Sequence, residues 1–270
     1  HKTKLTMHSF SRTTGISVVV ANMVGTGVFT SLGFQLLGIQ SPCVLMMLWF
    51  VGGLTALCGA LTYAELGANL PRSGGEYNFL SRLYHPCAGF ISGWVSATVG
   101  FAAPVALAAM TFAAYLSAVF PELNRTWAAV SLVLILTLAH CLSRRASSSV
   151  QQIFTALKLL LILLFCAVIL ILGNSPQSLN FVPQAGDGQL LFSGAFAVAL
   201  IYVNYAYTGW NAATYVTGEL ENPQRNLPVV LAVGTALVLL LYLLLNYTFL
   251  SAAPISSMEG KLEIGVVVAE

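Results

Sequence analysis

From Thr13 to Ala64 the chain runs 52 residues without a single Asp, Glu, Lys, Arg or His. Wound as one helix at about 1.5 Å per residue, that run would be roughly 78 Å long. One crossing of a bilayer's hydrocarbon core takes about 30 Å. The run therefore has to hold two crossings with a turn between them, and Gly38-Ile39-Gln40-Ser41-Pro42 supplies the turn. A secretory signal is excluded, because its apolar part is only about 7–15 residues long. The rest of the chain agrees: 57% of its 270 residues are hydrophobic and 7% charged, against about 25% charged in a soluble domain. Mean hydropathy is +0.84. The lipid bilayer is the expected partner, and a net charge of +2 gives no reason to expect nucleic acid.

Further apolar runs predict membrane helices over 14–37, 42–69, 87–119, 126–142, 150–172, 191–218 and 228–252. All are read as helices, since the strands of a membrane barrel alternate in short segments. The expected fold class is an all-α integral membrane protein with about seven spans. The 87–119 run exceeds the roughly 20 residues that one crossing needs, so it is tilted or extends past the bilayer. Orientation follows from the basic residues. With the N-terminus in the cytoplasm, Lys2, Lys4, Arg12, Arg72, Arg82, Arg144, Arg145 and Arg225 all fall on the cytoplasmic side, and only Arg125 and Lys261 fall outside. Residues 253–270 are then an extracellular loop.

Two apolar spans carry residues that weaken helices. The first contains Gly25-Thr26-Gly27. Unpaired backbone is tolerated at membrane depth only where protein or a water-filled cavity surrounds it. A break there would present a half-helix N-terminus, which attracts carboxylate; close packing through small residues accounts for the same glycines. The sixth span contains "NYAYTGWNAATYVTGEL", Asn204 to Leu220, with Gly209 and Gly218 among asparagines, threonines and aromatics. Glycine-interrupted segments at corresponding positions point to a binding site between repeats. Lys158 stands about 12 Å into the fifth span at 1.5 Å per residue. It either snorkels to the interface or sits inside the bundle as a fixed cation held by backbone carbonyls.

Other functions lack support. The five cysteines, Cys43, Cys58, Cys87, Cys141 and Cys166, form no C-x-x-C pair and read mostly as small buried hydrophobes. His1, His8, His85 and His140 show no ligand spacing. The chain has no H-E-x-x-H, paired Asp or G-x-S-x-G elbow, so neither an enzyme nor a cofactor or metal site is expected. A channel-like pore remains a rival, because it too would carry polar groups inside a bundle.

Met23-Val24-Gly25-Thr26-Gly27-Val28-Phe29, "YAELGANLPRSGGEYNFL" (63–80), "YAYTGWN" (205–211) and "GELENPQRNLP" (218–228) together resemble the amino acid–polyamine–organocation superfamily of secondary transporters. The match is nearest to the L-type amino acid transporter branch and its bacterial relatives. The resemblance implies a LeuT-like fold of inverted five-helix repeats, with helices 1 and 6 discontinuous. Residues 13–172 would form the first repeat and 191–252 the start of the second, within a single transmembrane domain. About twelve helices are expected in all, so the chain reads as an N-terminal fragment whose C-terminal helices are a missing partner. It also implies a plasma-membrane location, the inner membrane for a bacterial source.

For the site, the resemblance assigns Thr26 and Gly27 to the substrate carboxylate, with Gly25 allowing the turn. The carbonyls of Met23, Tyr205 and Thr208 would receive the substrate ammonium, and Tyr207 and Trp210 would shape or gate the pocket. Lys158 would replace the sodium ion of coupled members, with the Ala21 carbonyl as its partner. The implied function is sodium-independent amino acid transport by alternating access, as an exchanger or with protons; a sodium-coupled symporter is the alternative. Neutral substrates are expected, because no acidic residue lies in the first, third or sixth span near the breaks. The loop Phe120–Trp127 has no cysteine, so a disulfide-linked heavy chain is not expected. Asn124-Arg125-Thr126 matches a glycosylation pattern but lies too close to the next span to be used.

Overall fold

The computed structural model describes residues 11–142, 144–173, 177, 179 and 181–269. His1, Lys2, Lys4 and His8 lie outside the described residues, as do the side chains of His140, Arg144 and Arg145. Among the described residues the architecture is all-α. Five helical segments are long and apolar enough to cross a bilayer: Arg12–Gln35, Pro42–Asn69, Pro86–Val119, Ile153–Leu172 and Pro223–Ala252. Two shorter apolar helices, Arg125–Ala139 and Gly194–Tyr207, bring the expected seven spans to full number.

The first span is split. α1 (Arg12–Met23) opens on Ser11, whose hydroxyl accepts from the Thr14 amide, and α2 (Gly27–Gln35) follows after bends at 24–26. α3 (Pro42–Asn69) begins where Ser41 caps and Pro42 takes the first helical position, a place that needs no N–H. Gly74 and Gly75 adopt φ values of 118° and 49°, which turn the chain into α4 (Gly75–Leu83), a short helix that buries Asn78 and Phe79 against the bundle.

α5 (Pro86–Val95) and α6 (Ala102–Val119) form the long third span, joined by a five-residue π turn at Ser96–Gly100. The fourth and fifth spans are α7 (Arg125–Leu142) and α8 (Arg144–Leu172). Asn124 accepts the amides of Thr126 and Trp127 at 3.0 and 3.2 Å, so this asparagine starts α7.

After α9 (Asp187–Leu191), the sixth span consists of α10 (Gly194–Tyr207), a turn, α11 (Ala212–Tyr215) and a 3-10 turn at Thr217–Glu219. The seventh span, α12 (Pro223–Ala252), starts at Pro223, five residues before the expected 228. Pro228 therefore lies inside the helix rather than in its first turn. Pro223 already occupies the position that suits a proline, and Asn222 reverses the chain with a φ of 43°.

The core lies where α3 and α12 pack together against α1 and α10, around Leu48, Trp49, Val203, Leu231, Val238 and Tyr242. The stretch after the seventh span is folded: α13 (Ile255–Met258) and α14 (Ile264–Ala269) return to α2, with the Gly260 amide donating to the Gly33 carbonyl at 2.8 Å. The cysteine reading needs correction. Only Cys166 is buried; Cys58, Cys87 and Cys141 are exposed, since an apolar helix surface in a membrane protein faces outward as readily as inward.

Candidate functional site

The two breaks lie against each other. At Gly27, the first residue of α2, an added Cβ would stand 2.9 Å from the Ala206 Cα, near the end of α10. At Gly209, in the turn that ends α10, an added Cβ would stand 2.8 Å from the Asn22 carbonyl. Each break rests on the other's main chain, an approach that only the missing side chain allows. Gly209 also has a φ of 113°, and there the chain leaves its helix.

Side chains from outside hold the broken ends. The Lys158 ammonium of α8 donates to the carbonyls of Ala21 at 2.9 Å and Val24 at 2.6 Å. These are carbonyls at the end of α1, where the helix dipole is negative, and charge-assisted hydrogen bonds are the stronger kind. The Tyr242 hydroxyl of α12 lies 2.6 Å from the Met23 carbonyl and 3.0 Å from that of Ala206, one acceptor from each break. Tyr242 is fully buried, so its hydroxyl needs such a partner. The Met23 carbonyl, assigned from the sequence to a substrate ammonium, thus already accepts from a protein hydroxyl and has one lone pair left. α2 has no side-chain cap at its N-terminus, which leaves its first amides to the space beside Thr26.

That space is a cavity of about 1070 Å³. Ala21, Met23, Gly25, Thr26, Gly27, Tyr205 and Thr208 all line it, together with Asn22, Gly209 and Asn211. Its wall continues along Thr14 and Ser17 to Glu219, so it extends from the breaks toward the end of the bundle where α1 begins. Opposite stands the third span, with Ser96, Gly100 and Phe101 at its π turn, a helix irregularity often found at functional sites.

Two expected pocket residues stand elsewhere. Tyr207 is 1% exposed, does not line the cavity, and donates to the Trp49 carbonyl at 3.1 Å within a cluster with Tyr242. Trp210 also lies off the cavity wall. Its ring fills the space over Gly59 and meets Tyr63 edge-on at 4.9 Å. Both rings leave the sixth span on the face that packs against α3, and they fix the break rather than line the hollow.

Two residues not singled out from the sequence belong to this region. Tyr242 is one; it shares its span with Thr235, Asn246, Thr248 and Ser251, so its hydroxyl alone gave no signal. Glu76 is the other. It comes from α4, lines the cavity, and accepts from Asn211 Nδ2 and the Tyr215 hydroxyl.

A family model described as amino acid permease matches residues 10–269. The chain belongs to the amino acid permease family. The chain is similar to the human b(0,+)-type amino acid transporter 1, with 32% identity over 262 residues, 95% of the chain and 54% of the relative. It is likewise similar to the rabbit large neutral amino acids transporter small subunit 2, with 32% identity over 274 residues, 94% of the chain and 49% of the relative. The chain thus spans about half the length of the curated relatives it matches. It is a multi-pass membrane protein, and its family is one of amino acid permeases rather than enzymes.

Proposed function

We propose that this chain carries the substrate-gripping part of a secondary transporter that moves amino acids by alternating access, independently of sodium, as an exchanger or with protons. The observation that supports the reading is the meeting of two broken helices over one cavity. The uncapped start of α2 at Gly27, with Thr26, is the anion end, matched to a carboxylate by the dipole of a half-helix N-terminus. The carbonyl ends near Met23, Tyr205 and Thr208 are the cation end, matched to an ammonium. A zwitterion has both groups on one carbon, and the breaks offer the two ends side by side.

Sodium independence rests on Lys158. A sodium ion in such a fold is held by carbonyl oxygens of the unwound helix, and here the Ala21 and Val24 carbonyls hold an ammonium. With the N-terminus cytoplasmic, as the basic residues predict, the cavity is open toward the cytoplasm of a plasma membrane, and a cysteine placed at Ser17 is labelled from that side. No disulfide-linked heavy chain is proposed, since the 120–127 loop has no cysteine.

The test is uptake of labelled amino acids by the full-length protein in liposomes, with sodium present or replaced by choline. Saturable uptake within about two-fold in the two media, accelerated by amino acid on the opposite side, supports the reading. Uptake that requires sodium gives the site to a symporter, and non-saturable flux without counterflow gives it to a pore.

A further inference from the structure

The expectation of neutral substrates rested on the absence of acidic residues from the first, third and sixth spans. Glu76 removes that ground. It follows the turn between the second and third spans, and the positive φ at Gly74 and Gly75 directs α4 back over the bundle so that Glu76 joins the cavity wall. The approach is tight: a Cβ on Gly75 would stand 2.8 Å from the Tyr215 ring.

Among the described residues no basic side chain pairs with Glu76. Asn211 and Tyr215 donate to it and the Tyr63 hydroxyl faces it, but all three are neutral. No lysine, arginine or histidine among the described residues lines the cavity, whereas Glu219 adds a second carboxylate farther along it. Among the described residues, two cations beside the first span are committed elsewhere. Lys158 is held by Ala21 and Val24, and Arg12 donates to Asn226 Oδ1 at 2.6 Å. A cleft lined by one sign of charge within low-dielectric walls concentrates the opposite ion.

Position indicates what the partner is. Glu76 is one hydrogen bond from Asn211, and Asn211 is two residues from Gly209 at the break, at most about 7 Å along the chain. Glu76 and both breaks line one cavity, so the flexible four-carbon stem of a lysine-like side chain leads from a zwitterion at the breaks along the same wall toward the carboxylate.

We propose that Glu76 is a specificity-determining residue that gives the cavity a preference for amino acids with a cationic side chain. The proposal rests on the transporter reading above, and the test separates the two. Full-length protein in liposomes is given radiolabelled L-lysine and L-leucine in competition. The wild type carries lysine. Glu76→Gln, which keeps the size and an acceptor oxygen but removes the charge, lowers the lysine-to-leucine uptake ratio about ten-fold or more, as loss of a charge-assisted contact implies. Glu76→Asp, with the charge retained, stays closer to the wild-type ratio than Glu76→Gln. An unchanged ratio in Glu76→Gln overturns the proposal and leaves Glu76 as a clasp between α4 and α11. A wild type that carries leucine and is not competed by lysine also overturns it while the transporter reading stands, and this arm needs no variant. Transport of neither amino acid overturns the proposal, and absence of uptake of every labelled amino acid overturns the transporter reading as well.

Discussion

Gly209 lies against the carbonyl of Asn22, so the turn that ends α10 is seated on the last turn of α1. An added methyl would stand 2.8 Å from that carbonyl, at a residue whose φ is 113°. Gly209→Ala is therefore expected to cost about 1–3 kcal/mol in backbone strain alone, with the steric conflict added. The change reads out as a lowered Tm of the detergent-solubilised full-length protein and loss of substrate binding. Gly25→Ala is the control: its Cβ would meet nothing nearer than the Met23 carbonyl at 4.0 Å. That variant should keep its Tm while weakening binding, because Gly25 lines the cavity.

Tyr242→Phe removes a hydroxyl from between the Met23 and Ala206 carbonyls while keeping the ring that packs on Trp49 and Tyr207. Leaving a buried acceptor without its donor costs about 1–3 kcal/mol. The measurement is again Tm, paired with uptake kinetics. An unaltered Tm and unaltered uptake would show that the shared hydroxyl does not hold the breaks.

Lys158→Ala leaves the Ala21 and Val24 carbonyls without their cation. Charge-assisted hydrogen bonds of this kind contribute about 1.5–3 kcal/mol, so exchange should fall about ten-fold or more. Lys158→Arg is expected to rescue poorly, because a planar guanidinium fork does not fit where a compact ammonium bridges two carbonyls. Exchange at wild-type rate in Lys158→Ala would return this lysine to the snorkelling account.

Gly33→Ala tests the docking of the final stretch. The new methyl would collide with the Lys261 carbonyl and stand 2.9 Å from that of Met258. The segment from Ile255 to Ala269 should then be released, seen as faster protease cleavage there than in the wild type.

The spans and both breaks were legible in the sequence for one reason: lipid cannot satisfy a stray amide or carbonyl, so a glycine cluster in a charge-free run needs a local cause. Lys158 was legible on the same ground, although its direction was not. What failed was direction around a helix axis. Tyr207 and Trp210 flank the Gly209 turn just as Tyr205 and Thr208 do, yet only the latter pair lines the cavity. Nothing in a run of aromatics marks the face that meets α3. Glu76 was hidden for a different reason. It sits in a polar loop, and only the backbone at Gly74 and Gly75 brings that loop onto the bundle. The start of α12 was misplaced because Pro223 and Pro228 both suit a first turn.

The bond from Gly260 to Gly33 bears on how the protein is made. Chains enter the bilayer in the order in which they are synthesised. α2 belongs to the first segment inserted, yet the main chain that covers Gly33 leaves the ribosome only after the seventh span. The first span therefore waits for this neighbour through the insertion of six others, and until residue 260 emerges its Gly33 carbonyl must rely on a provisional partner.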